Sequence, residues 1–182
     1  PSAVTVNFDD DTNVANSVVA NASYAGVLTV KADGDEFDTQ AHTVTGGKGT
    51  SDVLQITADG NAIVTARMAN VTNVETVKIA GTTASQSIAL NDANATYTSS
   101  TSYQTITVDA TALTTGVATI DASPEADAKV VVKGGGGADI ITASSSSNLG
   151  DTIEAGAGND TINIATASFT SADVIDGGAG TD

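Results

Sequence analysis

Short runs of β-branched and aliphatic residues recur along the chain, each closed by a cluster of Gly, Asp, Asn, Ser or Thr. Ala3-Val4-Thr5-Val6-Asn7-Phe8 alternates apolar and polar positions as a half-buried strand does, and Val27-Leu28-Thr29-Val30-Lys31 reads as the next strand. Asn70-Val71-Thr72-Asn73-Val74-Glu75-Thr76-Val77-Lys78-Ile79 has an apolar residue at every second or third place. Strands are predicted again at Ser87-Ile88-Ala89-Leu90, Thr105-Ile106-Thr107-Val108, Val117-Ala118-Thr119-Ile120 and Lys129-Val130-Val131-Val132. Beyond them the unit shortens to Ile140-Ile141, Thr152-Ile153, Thr161-Ile162 and Val174-Ile175. From residue 81 to 133 no amphipathic helical stripe interrupts the series, although Asp109 to Gly116 has room for one short helical turn.

Strands this short, at broadly regular spacing, predict an all-β chain. Successive coils of a parallel β-solenoid account for them best, with a β-sandwich as the alternative for the N-terminal part. The expected division is a strand-repeat region over 1–129 and a tighter β-roll over 130–182.

The turns of that last stretch share one order of residues. They are Gly134-Gly135-Gly136-Gly137-Ala138-Asp139, Ala155-Gly156-Ala157-Gly158-Asn159-Asp160 and Gly177-Gly178-Ala179-Gly180-Thr181-Asp182. Each fits G-G-x-G-x-D, with Ala155 replacing the first glycine of the second copy, and the first two continue into a strand as the nonapeptide of a calcium-binding β-roll does. Glycine allows tight turning through positive φ and leaves carbonyl oxygens open to an ion. Calcium takes six to eight oxygens, which an aspartate and several turn carbonyls can supply. Two Ser/Thr-rich turns ending in Asp151 and Asp173 lie between the glycine-rich ones. Aspartates therefore recur at 139, 151, 160, 173 and 182, in steps of 12, 9, 13 and 9. If each step is half a coil, the glycine-rich turns stack on one edge at 21 and 22 residues and the Ser/Thr-rich turns on the other.

The candidate calcium ligands are the carboxylates of Asp139, Asp160 and Asp182 with the carbonyls of Gly134, Gly135, Gly137, Gly156, Gly158, Gly177, Gly178 and Gly180. Asp151 and Asp173 come second. Asp52 joins them because Gly46-Gly47-Lys48-Gly49-Thr50-Ser51-Asp52 is a similar turn with one extra residue. The competing reading is that Gly and Asp merely fill solvated turns, although turn chemistry alone does not demand the same six-residue order.

Over residues 130–182 these turns resemble the repeats-in-toxin (RTX) family of secreted bacterial proteins. Over about residues 44–80, the glycine-rich turn and Val53-Leu54-Gln55-Ile56 followed by Asn73-Val74-Glu75-Thr76-Val77-Lys78-Ile79 resemble repeats of calcium-dependent bacterial surface-layer proteins and large RTX adhesins. The resemblance implies a Ca2+-folded structural protein, secreted by a type I route and carried at the bacterial cell surface. Its implied partners are further copies of itself, in a lattice or filament, and cell-surface polysaccharide. The alternative it leaves open is an adhesin segment, or the calcium-folding secretion module of a larger exported protein or enzyme.

Composition agrees with a ladder of small aliphatic side chains. Hydrophobic residues make up 40% of the 182, aromatics only 3%, and there is no cysteine for a disulfide or thiolate site. A formal charge of −16 argues against nucleic acid or an anionic membrane as partner, and creates self-repulsion that divalent cations would relieve. No apolar run is long enough for a membrane-spanning helix. Both ends read as cut, as in a segment of a larger protein.

No H-E-x-x-H, G-x-S-x-G or P-loop is present, so no enzyme activity is expected. His42, the one histidine, has no Ser or Cys motif beside it and is expected on the surface or at a strand edge. Asp9-Asp10-Asp11-Thr12-Asn13 opens like an EF-hand loop, but Val14 and Ala20 stand where that loop needs Gly and Glu. A looser acidic loop there, and another over Asp33-Gly34-Asp35-Glu36-Phe37-Asp38, are weaker metal candidates. The N-x-S/T sequences at Asn21, Asn70, Asn94 and Asn159 are expected by chance in so Thr/Ser/Asn-rich a chain.

Overall fold

The structure, a computed structural model, describes residues 2–8, 15–21, 23–33, 42–58, 60–95 and 104–182. In chain order its strands begin with β1 (Val4–Asn7), β2 (Ser17–Val19), β3 (Leu28–Asp33), β4 (Thr43–Thr45), β5 (Val53–Thr57) and β6 (Ala62–Ile63). A one-turn helix α1 (Thr65–Met68) precedes β7 (Val71–Thr72), β8 (Thr76–Ala80), β9 (Gln86–Ala89), β10 (Thr105–Asp109) and β11 (Ala118–Asp121). The last are β12 (Lys129–Lys133), β13 (Ile140–Thr142), β14 (Thr152–Glu154), β15 (Thr161–Asn163) and β16 (Val174–Asp176).

Every pairing among these strands is parallel, and the chain winds as a β-solenoid. Sheet 1 has the order β1-β3-β5-β8-β10-β12-β14-β16. Facing it are sheet 2, β15-β13-β11-β9-β6, and the three-stranded sheet 3, β2-β4-β7. The solenoid runs from the first described strands to the last, and the sandwich alternative does not describe the N-terminal part. Sheet 1 is continuous through residue 130, where β12 pairs with β10 on one side and β14 on the other.

The aliphatic spacing of the sequence becomes the core through register. In sheet 1, Val6, Val30, Leu54, Val77, Val108, Val132, Ile153 and Ile175 lie side by side in one column. Ile63, Ile88, Ile120, Ile141 and Ile162 form the matching column of sheet 2, and Val18, Val44 and Val71 that of sheet 3. Most of these side chains are buried in one continuous cluster. Similar aliphatic neighbours at successive coils, most of them β-branched, interlock without bulky aromatics.

The irregular apolar spacing of Asn70 to Ile79 spans a corner: β7 ends at Thr72, Asn73 turns at φ 55°, and β8 starts at Thr76. The segment from Asp109 to Gly116 contains an ordinary turn, closed by Leu113 N–H donating to Ala110 O at 2.9 Å, and the short helix lies at Thr65–Met68 instead. His42 does precede a strand edge but is only 2% exposed, stacked on Phe8 with ring centroids 4.8 Å apart. The acidic loops at Asp9–Asn13 and, after Asp33, at 34–38 lie outside the described residues.

One buried amide holds the corner after α1. Asn94 Nδ2 donates to Met68 O at 2.6 Å and to Val71 O at 2.7 Å, while its Oδ1 accepts from Asn91 N–H at 2.7 Å. Asn94→Ala leaves those carbonyls unpaired, and its expected cost by urea denaturation is about 3 kcal/mol. A loss below about 1 kcal/mol would show that the corner does not depend on this side chain.

Candidate functional site

The solenoid has two edges. Turns leaving sheet 1 form edge 1, and turns returning to it form edge 2. The three glycine-rich turns ending in Asp139, Asp160 and Asp182 stack on edge 1, whereas the turns ending in Asp151 and Asp173 stack on edge 2. The turn ending in Asp52 leads from β4 into β5 and so belongs to edge 2, opposite the glycine-rich turns it resembles.

On edge 1 each carboxylate reaches back one coil to a backbone amide. Asp139 Oδ1 accepts from Ala118 N–H at 2.7 Å, Asp160 Oδ1 from Asp139 N–H at 2.8 Å, and Asp182 Oδ1 from Asp160 N–H at 3.0 Å. The sequence separations are 21, 21 and 22 residues, which is the coil period. Asp139 Oδ2 also accepts from Gly135 N–H of its own turn at 2.6 Å.

Edge 2 repeats the device with different turn residues. Asp173 Oδ1 accepts from Asp151 N–H at 2.7 Å and its Oδ2 from Thr170 N–H at 2.6 Å. Ser144 donates its amide to Asp151 Oδ2 at 2.8 Å and its hydroxyl to Oδ1 at 2.9 Å. Asp52 accepts from Leu28 N–H through Oδ1 and from Gly47 N–H through Oδ2, both at 2.7 Å, so the extra residue of its turn leaves the carboxylate placed as in Asp139. Glu75 Oε2 in turn accepts from Asp52 N–H at 2.8 Å. Sequence reasoning did not single out Glu75. Its signal was position, since it precedes β8 by one residue as Asp52 precedes β5.

Glycine is required on edge 1 by close approach. A Cβ on Gly135, Gly136 or Gly137 would come within 3.0 Å of a carbonyl oxygen of the preceding coil, although none of these three has positive φ. The same holds for Gly156 against Gly135 O, Gly158 against Gly137 O, Gly178 against Gly156 O and Gly180 against Gly158 O, and these four do take positive φ. A Cβ on Gly134 would strike Ala155 O, and one on Gly177 would strike the Asp182 carboxylate. Part of the freed carbonyl capacity is used between coils: Ala157 N–H donates to Gly135 O at 2.9 Å and Ala179 N–H to Gly156 O at 2.8 Å.

Four of these carboxylates are buried, whereas Asp173 is half-buried and Asp182 exposed. Asp52, Asp139, Asp151 and Asp160 are at most 5% exposed. Burial holds the Asp139 carboxyl above its usual range; the Gly135 and Ala118 amides oppose the shift and the charge of Asp160 adds to it. Asp151 is raised by burial in the same way, with Ser144 opposing and Asp173 adding, and Glu75 is raised chiefly by burial. Asp160 Oδ2 is buried without a hydrogen-bond partner.

The donor set fits a hard cation. It consists of carboxylate and carbonyl oxygens, each with two lone pairs, so an oxygen that accepts one N–H keeps acceptor capacity. The two edges hold the expected ligands as two separate groups, with Asp139, Asp160 and Asp182 on one and Asp52, Asp151 and Asp173 on the other. Comparison with protein-family models, with curated proteins and with solved structures returns no match.

Proposed function

We propose that this chain is a structural, calcium-folded segment of an extracellular bacterial protein, of the RTX and surface-layer type its turns resemble. The observation that carries the reading is edge 1, where three glycine-rich turns repeat in phase, the Asp139 and Asp160 carboxylates are buried between them, and Asp160 Oδ2 lacks a partner. Asp139, Asp160 and Asp182, with carbonyls of the same turns, would hold the ion, and Asp52, Asp151 and Asp173 are the secondary candidates on edge 2. When bound, calcium supplies positive charge among groups that otherwise repel one another.

The chain's own contribution is a rigid stack. Carboxylate-to-amide bonds join each coil to the one before, and the glycine columns let backbones approach closely enough for those bonds. Their registration depends on keeping like charges close, so the free energy of coil stacking is linked to cation concentration. The reading includes no catalytic step. Among the described residues no helix is long and apolar enough to cross a membrane. The self-assembled lattice or filament, and contact with surface polysaccharide, belong to the proposal.

The test is a calcium titration of the EDTA-stripped chain, followed by circular dichroism and light scattering with magnesium as control. The expected result is a calcium-specific gain in β signal and melting temperature, with scattering that rises as ordered assemblies form. Melting that is indifferent to calcium would overturn the metal reading. A calcium-stabilised chain that stays monomeric would transfer it to the adhesin or secretion-module alternative.

A further inference from the structure

A second group of acids lies outside both carboxylate ladders. Glu125, in the turn between β11 and β12, is fully buried. Its Oε1 accepts from the amides of Asp127 and Ala128 at 3.2 and 3.1 Å, while Oε2 is buried with no partner. Asp127 Oδ1 is also buried and unpartnered. From the preceding coil, in the turn after β9, Asp92 adds a third carboxylate, whose Oδ1 accepts from Ala126 N–H at 3.0 Å. One oxygen from each of the three lies within 4.8 Å of the other two.

Two unpartnered buried oxygens, on carboxylates grouped with a third, are costly unless something positive lies among them. The charges acting on Glu125 are those of Asp92 and Asp127, both negative. The turn is also fixed from its far side, where Ser145 of the next coil donates its amide and hydroxyl to Glu125 O at 2.9 and 3.0 Å. The backbone that carries Glu125 is therefore held by the next coil.

We propose that Asp92, Glu125 and Asp127 form a divalent-cation site, selective for calcium, that clamps the coil beginning at β8 to the coil beginning at β10. Three carboxylates without imidazole or thiolate are a hard, all-oxygen donor set, which suits calcium and disfavours softer metals. The site uses a Pro-containing turn, Ser123-Pro124-Glu125-Ala126-Asp127, and no glycine-rich repeat. It thus stands independently of the reading of edge 1.

The experiment is calcium stoichiometry of the full chain by isothermal titration and native mass spectrometry, with magnesium as control. Three variants are compared with the unmodified chain: Glu125→Gln, Asp92→Asn and Asp160→Asn. The expected result is one calcium fewer per chain in Glu125→Gln and at least tenfold weaker binding at one site in Asp92→Asn. Asp160→Asn, on edge 1, keeps that calcium. Equal stoichiometry and affinity in Glu125→Gln and the unmodified chain would overturn the site, whatever the glycine-rich turns bind. If Glu125→Gln fails to fold, the exposed Asp92 decides: unchanged affinity in Asp92→Asn overturns the proposal. Failure of edge 1 alone would appear as loss of other calcium ions while this one persists.

Discussion

Gly158→Ala destabilises the chain by about 3 kcal/mol or more, whereas Gly60→Ala costs about 1 kcal/mol. Both glycines take positive φ, 140° and 97°, so both substitutions carry backbone strain. They differ in surroundings. A Cβ on Gly60 meets nothing within 4 Å, while one on Gly158 strikes the carbonyl oxygen of Gly137 and approaches Asp160 Oδ1 at 3.1 Å. That carbonyl belongs to a stacked turn of the preceding coil, so relief requires neighbouring coils to separate along the whole edge. Urea denaturation of both variants, in EDTA and again in calcium, measures the difference. Equal losses at the two positions would mean that coil stacking at edge 1 is loose enough to absorb a methyl group, and the close-approach account of the glycine columns would fail.

In EDTA, raising the pH from about 4.5 to about 7 removes about 3 kcal/mol of stability that Glu125→Gln does not lose. The Glu125 carboxyl is pushed up from 4.5 to about 7, first by burial and then by the charges of Asp92 and Asp127, against the opposing amides of Asp127 and Ala128. Between those values the folded chain keeps a proton that the unfolded chain has released. Stability from this group is therefore complete below the unfolded value and is lost as pH climbs through the folded one. Asp139, Asp151 and Glu75 are raised in the same direction and steepen the slope. Thermal melts of the two chains at pH 4.5, 5.5 and 7.5 isolate the Glu125 contribution as their difference. A difference that stays flat across this window would show that Glu125 is solvated and ionised throughout.

The coil was legible in the sequence because its information is local. Val30, Leu54 and Val77, or Ile120 and Ile141, mark inward positions by their place between polar neighbours, and a solenoid needs only that such positions recur. The glycine-rich turns were legible for the same reason: their six-residue order repeats at 21 and 22 residues, and the same spacings separate the hydrogen-bonded partners on edge 1. Asn73 was less legible, because Val71, Val74 and Val77 mark inward positions without showing that the chain turns between the first two.

By itself the sequence determined the all-β class, the inward columns, the acidic excess and the glycine-aspartate turns. Spacing alone placed the five turns after residue 133 on their two edges, but only the tertiary structure decided the edge of the Asp52 turn, because coil length varies: Val30 pairs with Leu54, but Val77 pairs with Val108. Asp52 consequently lies on edge 2 beside Glu75, although its turn reads like those of edge 1. The same variation brings Asp92 against Glu125 and Asp127, an association no fixed repeat length would have suggested. Winding also determined what the aspartates do in the folded chain. A carboxylate at a turn can face water, an ion or the backbone of the coil beneath, and the choice depends on an amide 21 to 24 residues away at a distance only the stacked coils set.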